Sequence, residues 1–315
     1  MFLDLILLIV GFIVLIKSAD ILVDGASALA QKFAIPQIVI GLTIVAFGTS
    51  APELVVNIIS SLKNHSELCF GNILGSNIMN TLVILGAAAL IMPLGVKKNT
   101  IIKEIPFLLI AGIITFVMVN NFGFKGSYLS RIDAIILFGM FVYFLYYAFF
   151  ILKDVEEFQH EIHKYSLAVS IALVVAGILG LFIGGKLVVT KAVNIAHFFK
   201  ISEKLIGLTV VALGTSLPEL VTSIMAVIKK KPDIAVGNVI GSNIFNMLMV
   251  LGISGMINPI SYDVSLNKDF IFLIVITLIL FLTLFVGKKR KIGRLQGGLF
   301  LLGYLGYLIL IIIRK

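Results

Sequence analysis

Two glutamates, Glu53 and Glu219, are the side chains of this sequence best suited to binding a positive charge. They are the only acidic residues deep inside long apolar runs, because the other acids lie in loops or at the ends of runs. An ionised carboxylate is costly to bury in apolar surroundings without a compensating partner. Since no Lys or Arg lies deep in the same runs, we expect the partner to come from outside the chain, as a metal ion or as protons.

The residues just before each glutamate supply further oxygen atoms. The segments Gly48-Thr-Ser-Ala-Pro-Glu53 and Gly214-Thr-Ser-Leu-Pro-Glu219 place two hydroxyl groups within one helical turn of the carboxylate. Proline has no N–H and its ring clashes with the preceding turn, so we expect each helix to be broken there. Such a break would free backbone carbonyls in 46–49 and 212–215, which is tolerated at membrane depth where the backbone lines a cavity.

A second motif predicts a polar stripe on one helix face, because its Asn and Ser residues recur every four positions. The stripe consists of Asn72, Ser76 and Asn80 and, in a second copy, of Asn238, Ser242 and Asn246. Carboxylate, amide, hydroxyl and carbonyl oxygens are the ligands of hard cations such as Ca²⁺ and Na⁺. Zinc and copper are disfavoured, since the histidines all fall in predicted loops or at run ends: His65, His160, His163 and His197.

Both motifs belong to an internal duplication. Residues 40–55 recur as 206–221 with 13 of 16 positions identical, and residues 71–80 recur as 237–246 with 7 of 10 identical. Small and polar residues in membrane helices can serve packing alone, and a proline can be only a kink. The recurrence of the same oxygen-bearing set in both copies favours a binding role instead.

The composition places these motifs in a membrane. Of 315 residues, 60% are hydrophobic and only 13% are charged, and the mean hydropathy is +1.14. This leaves too little polar surface for a soluble exterior. Runs of about 20 apolar residues can cross the hydrocarbon as helices, and these runs are too uniformly apolar for barrel strands. Ten runs can be marked, at roughly 2–17, 37–61, 69–93, 104–121, 131–152, 166–186, 203–228, 235–258, 269–287 and 296–313.

The spans divide into two halves of five. The first half is 1–152, the polar stretch 153–165 is a short central loop, and the second half is 166–315. Because five is odd, the second half enters the membrane in the opposite sense, and a binding site is expected near the midplane between the halves. The sequence thus predicts an all-α membrane protein of about ten transmembrane helices in two inverted five-helix repeats, with discontinuous helices at the site.

The basic residues set the expected orientation. Most of the 25 Lys and Arg residues collect on one side of the predicted spans, which favours both termini outside. The first run lacks a basic segment before it and a cleavage site after it, so we expect a retained span. Asp20 and Asp24 are helically spaced, but their repeat equivalents are Lys186 and Thr190, so we interpret them as interfacial residues.

Other partners are not indicated by the sequence. The net charge is +9, yet no basic stripe interleaved with aromatic residues is present, so nucleic acid is not an expected partner. The single cysteine, Cys69, permits no intrachain disulfide. We expect no cofactor. The oligomeric state is left open, and a monomer is compatible with the pattern.

On its paired motifs the chain resembles the calcium/cation antiporter superfamily, and prokaryotic sodium/calcium exchangers in particular, over essentially its whole length. The resemblance implies an integral protein of a prokaryotic inner membrane, in which the first helix of each half, 2–17 and 166–186, slides to alternate access. It implies that Glu53 and Glu219 are shared ligands of Ca²⁺ and Na⁺. The implied carbonyl ligands are Ala46, Thr49, Ala212 and Thr215, and the implied side-chain ligands are Thr49, Ser50, Ser76, Asn80, Thr215, Ser216, Ser242 and Asn246.

Two positions depart from part of that superfamily, because some members carry Asp where this chain has Asn80 and Asn246. With Asn at both, the site has two carboxylates and a charge that one Ca²⁺ balances. Three Na⁺ ions would leave one positive charge in excess. An exchange of three Na⁺ for one Ca²⁺ therefore does not follow from charge alone.

The sequence predicts a secondary antiporter, and not an enzyme, that exchanges Ca²⁺ for Na⁺ at a shared carboxylate site. Two buried carboxylates close together can also take up protons, so Ca²⁺/H⁺ exchange stays open, as does K⁺-dependent exchange. A different class of function is an intramembrane hydrolase with the glutamates as acid and base, and another is a non-transporting scaffold. The hydrolase does not account for the duplicated Asn, Ser and Thr oxygens.

Overall fold

The computed structural model describes residues 2–63, 65–121, 126–151, 165–199, 212–286 and 290–313, and these residues are nearly all helical. The helices are α1 (Phe2–Lys32), α2 (Gln37–Thr49), α3 (Ala51–Leu62), α4 (66–91), α5 (Thr100–Asn120), α6 (131–151), α7 (Leu167–Phe198), α8 (Ala212–Thr215), α9 (Leu217–Ile228), α10 (Pro232–Ile257), α11 (Asn267–Thr283) and α12 (Arg294–Ile313). Four two-residue strands are present: β1 (Leu94–Gly95), β2 (Tyr128–Leu129), β3 (Ile260–Ser261) and β4 (Lys291–Ile292).

The described helices confirm an all-α membrane architecture. Eight of them are long and apolar enough to cross a membrane, and the bent pair α2–α3 brings the number of spans in the described residues to nine. The predicted seventh span, 203–228, is not among these nine; α8 and α9 represent its described part, and its first part lies outside the described residues. The predicted central loop lies almost entirely outside them as well, so the boundary between the halves stays a prediction.

The first helix of each half is longer than the sequence predicts. The expected spans 2–17 and 166–186 run on without a break, to Lys32 in α1 and Phe198 in α7. The reason is close packing of small residues. A Cβ added to Gly25 would lie 2.9 Å from Leu173, and one added to Gly177 would lie 2.7 Å from Leu22. The polar second part of α1 is therefore covered by α7 and stays helical instead of forming a loop.

The strands join loops of the first half to loops of the second. β1 pairs antiparallel with β4, and β2 pairs antiparallel with β3. A sequence in which apolar helical runs dominate gives no signal for such short strands. Each pairing fixes the distance between two helix ends, and so helps to hold the halves in register.

Asp20 and Asp24 both bind one lysine. The Nζ atom of Lys229, at the end of α9, lies 2.6 Å from Oδ1 of Asp20 and 2.7 Å from Oδ1 of Asp24. These side chains are all partly exposed, which fits the expected interfacial position. The contact ties α1 to the helix that carries Glu219.

The core is centred on α10. Every residue from Ile234 to Val250 is buried. Gly237 makes this possible, since a Cβ there would lie 2.7 Å from the carbonyl oxygen of Ile38 and 2.9 Å from the backbone nitrogen of Leu42. α2 therefore packs backbone to backbone against α10, as small residues permit in membrane helices.

Replacing Gly237 with Ala is expected to destabilise the protein by about 1–3 kcal/mol, because the added methyl group forces α2 and α10 apart. Cys69 is the only cysteine and is fully buried, so its reaction with a thiol-specific dye during heating in detergent reports unfolding. Gly139→Ala is the control, since a Cβ there meets nothing within 4 Å. Equal midpoints for the two variants would contradict the close approach of α2 to α10.

Candidate cation site

Two helix breaks set the directions of the chain around the glutamates. α2 and α3 meet at a 47° bend. Ser50 at this bend has φ −83° and ψ 5°, and Ser216 between α8 and α9 has φ −86° and ψ 5°. Pro52 and Pro218 lie in the first turn of the helix that follows, where the missing N–H breaks no helical bond. The predicted discontinuity is therefore present in both copies of the motif.

The two glutamates are fully buried and lie in one cluster. Both Glu53 and Glu219 have a relative exposure of 0%. Ser76 of α4 donates its hydroxyl to Oε1 of Glu53 at 3.2 Å, and Ser50 donates to Oε1 of Glu219 at 3.0 Å. The second bond joins the halves, and the two carboxylates interact electrostatically. Segments far apart in sequence thus bring both acids to one place.

Several buried oxygen atoms of this cluster have no hydrogen-bond partner among the described residues. They are Oε2 of Glu53, Oε2 of Glu219, Oδ1 of Asn80, Oδ1 of Asn246 and Oγ of Ser216. A buried acceptor left unpaired costs about 1–3 kcal/mol, and more when it is charged. The cluster therefore presents carboxylate, amide and hydroxyl oxygens that a hard cation can satisfy.

The threonine at each break contacts the polar stripe of the other half. Thr49 donates to Oδ1 of Asn238 at 3.0 Å, and its hydroxyl lies 3.3 Å from that of Ser242. Thr215 donates to Oδ1 of Asn72 at 3.4 Å. Predicted site residues of both motifs and both copies are therefore interleaved in the structure.

The carbonyl of Ala46 is less available than the sequence suggests. It accepts the N–H of Ser50 at 3.0 Å, and the hydroxyl oxygen of Thr49, whose proton goes to Asn238, lies 3.3 Å away. Proline removes the donor to the residue four positions earlier, which is Gly48, so the bond to Ala46 survives the break. The carbonyls of Ala46, Thr49, Thr215 and Ala212 stay predicted ligands, and the side chain of Ala212 lies outside the described part of the chain.

Two π-helical turns present the predicted amide ligands. Asn80 begins the turn Asn80–Ile84 in α4, and Asn246 lies in the turn Phe245–Val250 in α10. Turns of this type are often found at functional sites, and the described residues contain three more, at Gly41–Val45, Thr100–Glu104 and Tyr147–Ile151. A pattern of residues four apart assumes an ordinary α-helix, so it cannot reveal them.

Two further asparagines belong to the site and were not among its predicted residues. Asn80 donates its Nδ2 to Oδ1 of Asn243 at 3.1 Å, and Asn246 donates its Nδ2 to Oδ1 of Asn77 at 3.1 Å. Asn77 and Asn243 are buried. Each follows the Ser of the predicted stripe by one residue and therefore lies off the helix face that carries the stripe. The duplicated Gly-Ser-Asn sequence was a signal that could have identified them.

The electrostatic balance of the site is negative. Within the described ranges, no Lys or Arg is buried, and no group of three His, Cys, Asp or Glu side chains could hold a metal. The two glutamates therefore supply the charge, and neutral oxygens supply the remaining ligands. A site of this kind suits a cation that binds and leaves again better than one that is held permanently.

A cavity of about 310 Å³ lies beside the two breaks. Its walls include Pro52 and Pro218 on one side and Phe182 and Val189 of α7 on the other, with Thr215 also in contact. Because Thr215 also bonds the stripe residue Asn72, the cavity approaches the cation cluster from the side of α7. A movement of α7 would change the size of this space.

The family model described as "Sodium/calcium exchanger protein" matches residues 3–150 and 169–313. Inner membrane protein YrbG of Escherichia coli is 36% identical over 313 residues, covering 96% of this chain and 94% of its own. Sodium/calcium exchanger MaX1 of Methanosarcina acetivorans is 30% identical over 346 residues, covering 98% of each chain.

A solved structure shares the fold. The sodium-calcium exchanger NCX_Mj, soaked with Na⁺ and Ca²⁺, superposes with a TM-score of 0.83 at 32% sequence identity, over 98% of both chains. The likeness covers nearly the whole length of the present chain.

Ca²⁺ at about 100 times its dissociation constant is expected to stabilise the protein by about 2.7 kcal/mol. Glu219→Gln should lose most of this shift, because it removes a charge and an unpaired carboxylate oxygen. The Cys69 dye assay measures it across a Ca²⁺ titration. Glu104→Gln is the matched control, since Glu104 is equally buried but bonds Tyr147 outside the cluster. Equal loss of the shift in both variants would contradict the assigned site.

Proposed function

This chain belongs to the sodium/calcium exchanger protein family, and we propose that it exchanges Ca²⁺ for Na⁺ at the cluster of Glu53 and Glu219. The observation that supports this most is the pair of fully buried carboxylates, each with one oxygen unpaired among the described residues. Such a pair is stable in a membrane only when a cation or a proton occupies it. A site that must always be occupied is the basis of an exchanger.

Charge balance links the two ions. One Ca²⁺ or two Na⁺ neutralise the two carboxylates. With either ion content bound, the site can close and then open to the other side of the membrane. The empty site carries two bare carboxylates whose desolvation opposes closure. Ca²⁺ and Na⁺ therefore exclude each other, and each is released when the other binds.

The proposed ligands are the predicted set. Glu53 and Glu219 bind both ions. The unpaired oxygens of Asn80, Asn246 and Ser216 are directly available. The remaining proposed ligands change hydrogen-bond partners when a cation enters: the side chains of Thr49, Ser50, Ser76, Thr215 and Ser242, and the carbonyls of Ala46, Thr49, Ala212 and Thr215.

Alternating access is proposed to come from α1 and α7 moving together past the other helices. They pack along each other through Gly25 and Gly177, and α7 forms one wall of the cavity beside the site. We further propose that the halves are inverted, that both termini lie outside, and that the protein resides in a prokaryotic inner membrane. The short α1–α9 contact through Lys229 must break if α1 slides.

Proton coupling is the second candidate. The unpaired Oε2 atoms of Glu53 and Glu219 could each bind a proton, so that two protons neutralise the carboxylates instead of a metal cation. Two protons balance one Ca²⁺ by charge, as two Na⁺ do. A requirement for K⁺ would add a third coupling ion to the same site.

An enzymatic role is not proposed, and no cofactor is proposed. A hydrolase would need to admit a substrate to Glu53 and Glu219, whereas both carboxylates are fully buried. A scaffold without transport would leave the unpaired oxygens without a use. Incubation with labelled peptide or lipid substrates should therefore give no cleavage.

Reconstituted vesicles test the proposal. Uptake of ⁴⁵Ca²⁺ should follow an outward Na⁺ gradient, and Glu53→Gln should reduce it to the level of empty vesicles because the charge balance fails. Glu104→Gln should retain uptake, since Glu104 bonds Tyr147 away from the cluster. Wild-type uptake in Glu53→Gln would overturn the site assignment.

The driving gradient decides between the candidates. Uptake driven by a pH gradient without Na⁺, and none by Na⁺, would replace Na⁺ coupling with proton coupling. Uptake by a Na⁺ gradient that appears only when K⁺ is co-loaded would establish K⁺ dependence. The absence of uptake under every gradient would refute antiport.

A further inference from the structure

A set of hydrogen bonds behind the cluster determines which face of each amide ligand points at the cation. Asn77 in α4 and Asn243 in α10 lie where these helices cross, and both are buried. Each accepts a bond from a predicted ligand of the opposite half: Asn246 donates to Asn77, and Asn80 donates to Asn243. Since an amide has a donor end and an acceptor end, fixing one amide fixes the next.

The first series of bonds starts at a backbone carbonyl. Asn77 Nδ2 donates to the carbonyl oxygen of Asn243 at 3.2 Å. A carbonyl only accepts, so the nitrogen of Asn77 must face it and the oxygen of Asn77 must face the other way. That oxygen accepts Nδ2 of Asn246 at 3.1 Å. The Oδ1 of Asn246 is thereby turned to the cluster, where it has no partner among the described residues.

The second series includes a hydroxyl group. Thr81 donates its proton to the carbonyl oxygen of Asn77 at 2.9 Å. Its oxygen can then only accept, and it accepts Nδ2 of Asn243 at 2.9 Å. The Oδ1 of Asn243 therefore faces Asn80 and accepts its Nδ2 at 3.1 Å. This turns Oδ1 of Asn80 to the cluster as well, again unpaired.

We propose that Asn77, Thr81 and Asn243 are positioning residues that hold the amides of Asn80 and Asn246 with their oxygens, and not their NH₂ groups, toward the bound cation. The proposal rests on the proposed function, because it concerns the same cation. An amide turned the other way would place two N–H dipoles against the cation and convert a ligand into a repulsive group.

The same bonds set the charge of the site. Asn77 and Asn243 present oxygens to positions 246 and 80, so each of those positions must carry a hydrogen-bond donor. An ionised carboxylate there would place two acceptors face to face at about 3 Å, the ordinary hydrogen-bond distance. The arrangement therefore requires a neutral hydrogen-bond donor at both positions, which Asn supplies at any pH, and the charge of the site stays with Glu53 and Glu219.

The two series differ in a way that helps to test them. The repeat equivalent of Thr81 is Met247, so only the series ending at Asn80 passes through a hydroxyl. Thr81→Val removes that hydroxyl with almost no change in shape. Asn243 then loses the acceptor that fixes it and can turn over, and Asn80 turns with it.

The experiment measures the apparent KM for Ca²⁺ in reconstituted vesicles driven by the coupling ion that wild type uses. Thr81→Val is expected to raise KM about tenfold and to leave the rate at saturating Ca²⁺ within about twofold. Thr81→Ser keeps the hydroxyl and should restore the wild-type KM. Thr115→Val is the matched control, because the buried Thr115 makes the same type of bond to the carbonyl four residues earlier, in α5.

An unchanged KM in Thr81→Val, or an equal rise in Thr81→Ser, would overturn the proposal. If Thr81→Val does not fold, Thr81→Ala takes its place with the same criterion. If wild type shows no Ca²⁺ transport, the proposed function fails by itself. The Ca²⁺ concentration for half-maximal thermal stabilisation then decides about the positioning residues, and it should rise about tenfold in Thr81→Val alone.

Discussion

Two carboxylates of like charge are buried side by side, and the described part of the chain buries no Lys or Arg with them. The rest of the structure follows from this constraint. Buried carboxylates need hydrogen-bond donors. The hydroxyl of Ser50 donates to one oxygen of Glu219, and the hydroxyl of Ser76 donates to one oxygen of Glu53. The second oxygen of each glutamate has no partner among the described residues, and in the proposed function this oxygen binds the ion. Acids buried in a membrane are costly, and under the proposed function an exchangeable cation offsets that cost.

The helices are arranged to meet that requirement. A proline in the first turn of α3 and of α9 ends the preceding helix without leaving an N–H unpaired. The glutamate that follows it lies in the same first turn and is buried in the protein. Glycines in α10 let α2 approach until backbones touch, which brings Thr49 within 3.0 Å of Asn238. Small residues and broken helices, each unfavourable alone, are thus what allow oxygens from four separate segments to converge.

The duplication made part of this predictable. The glutamates, a helix break just before each of them, and the stripe residues could be identified because they recur with the same spacing. The break itself lies at Ser50 and Ser216, whereas the expected unwinding of 46–49 and 212–215 was wrong, because both segments are helical. The long α1 could not, because its second part is polar and is stabilised by α7, a neighbour distant in sequence. Nor could the π-helical turns or the roles of Asn77 and Asn243, since these depend on how α4 and α10 cross. The orientation of an amide depends on a series of bonds through both helices, which no local pattern contains.

The two nearly identical copies of the motifs make different hydrogen bonds. Ser50 donates to Glu219, whereas the oxygen of Ser216 is unpaired among the described residues. Asn238 donates to the carbonyl of Glu219 and to Ser223, whereas Nδ2 of its equivalent, Asn72, is unpaired there. Because the motif sequences are almost the same, neither set of bonds can be much more stable than the other for reasons of sequence alone. The proposed alternating access would require such near-equality, because a carrier in which one arrangement is much more stable than the other would stay in one state.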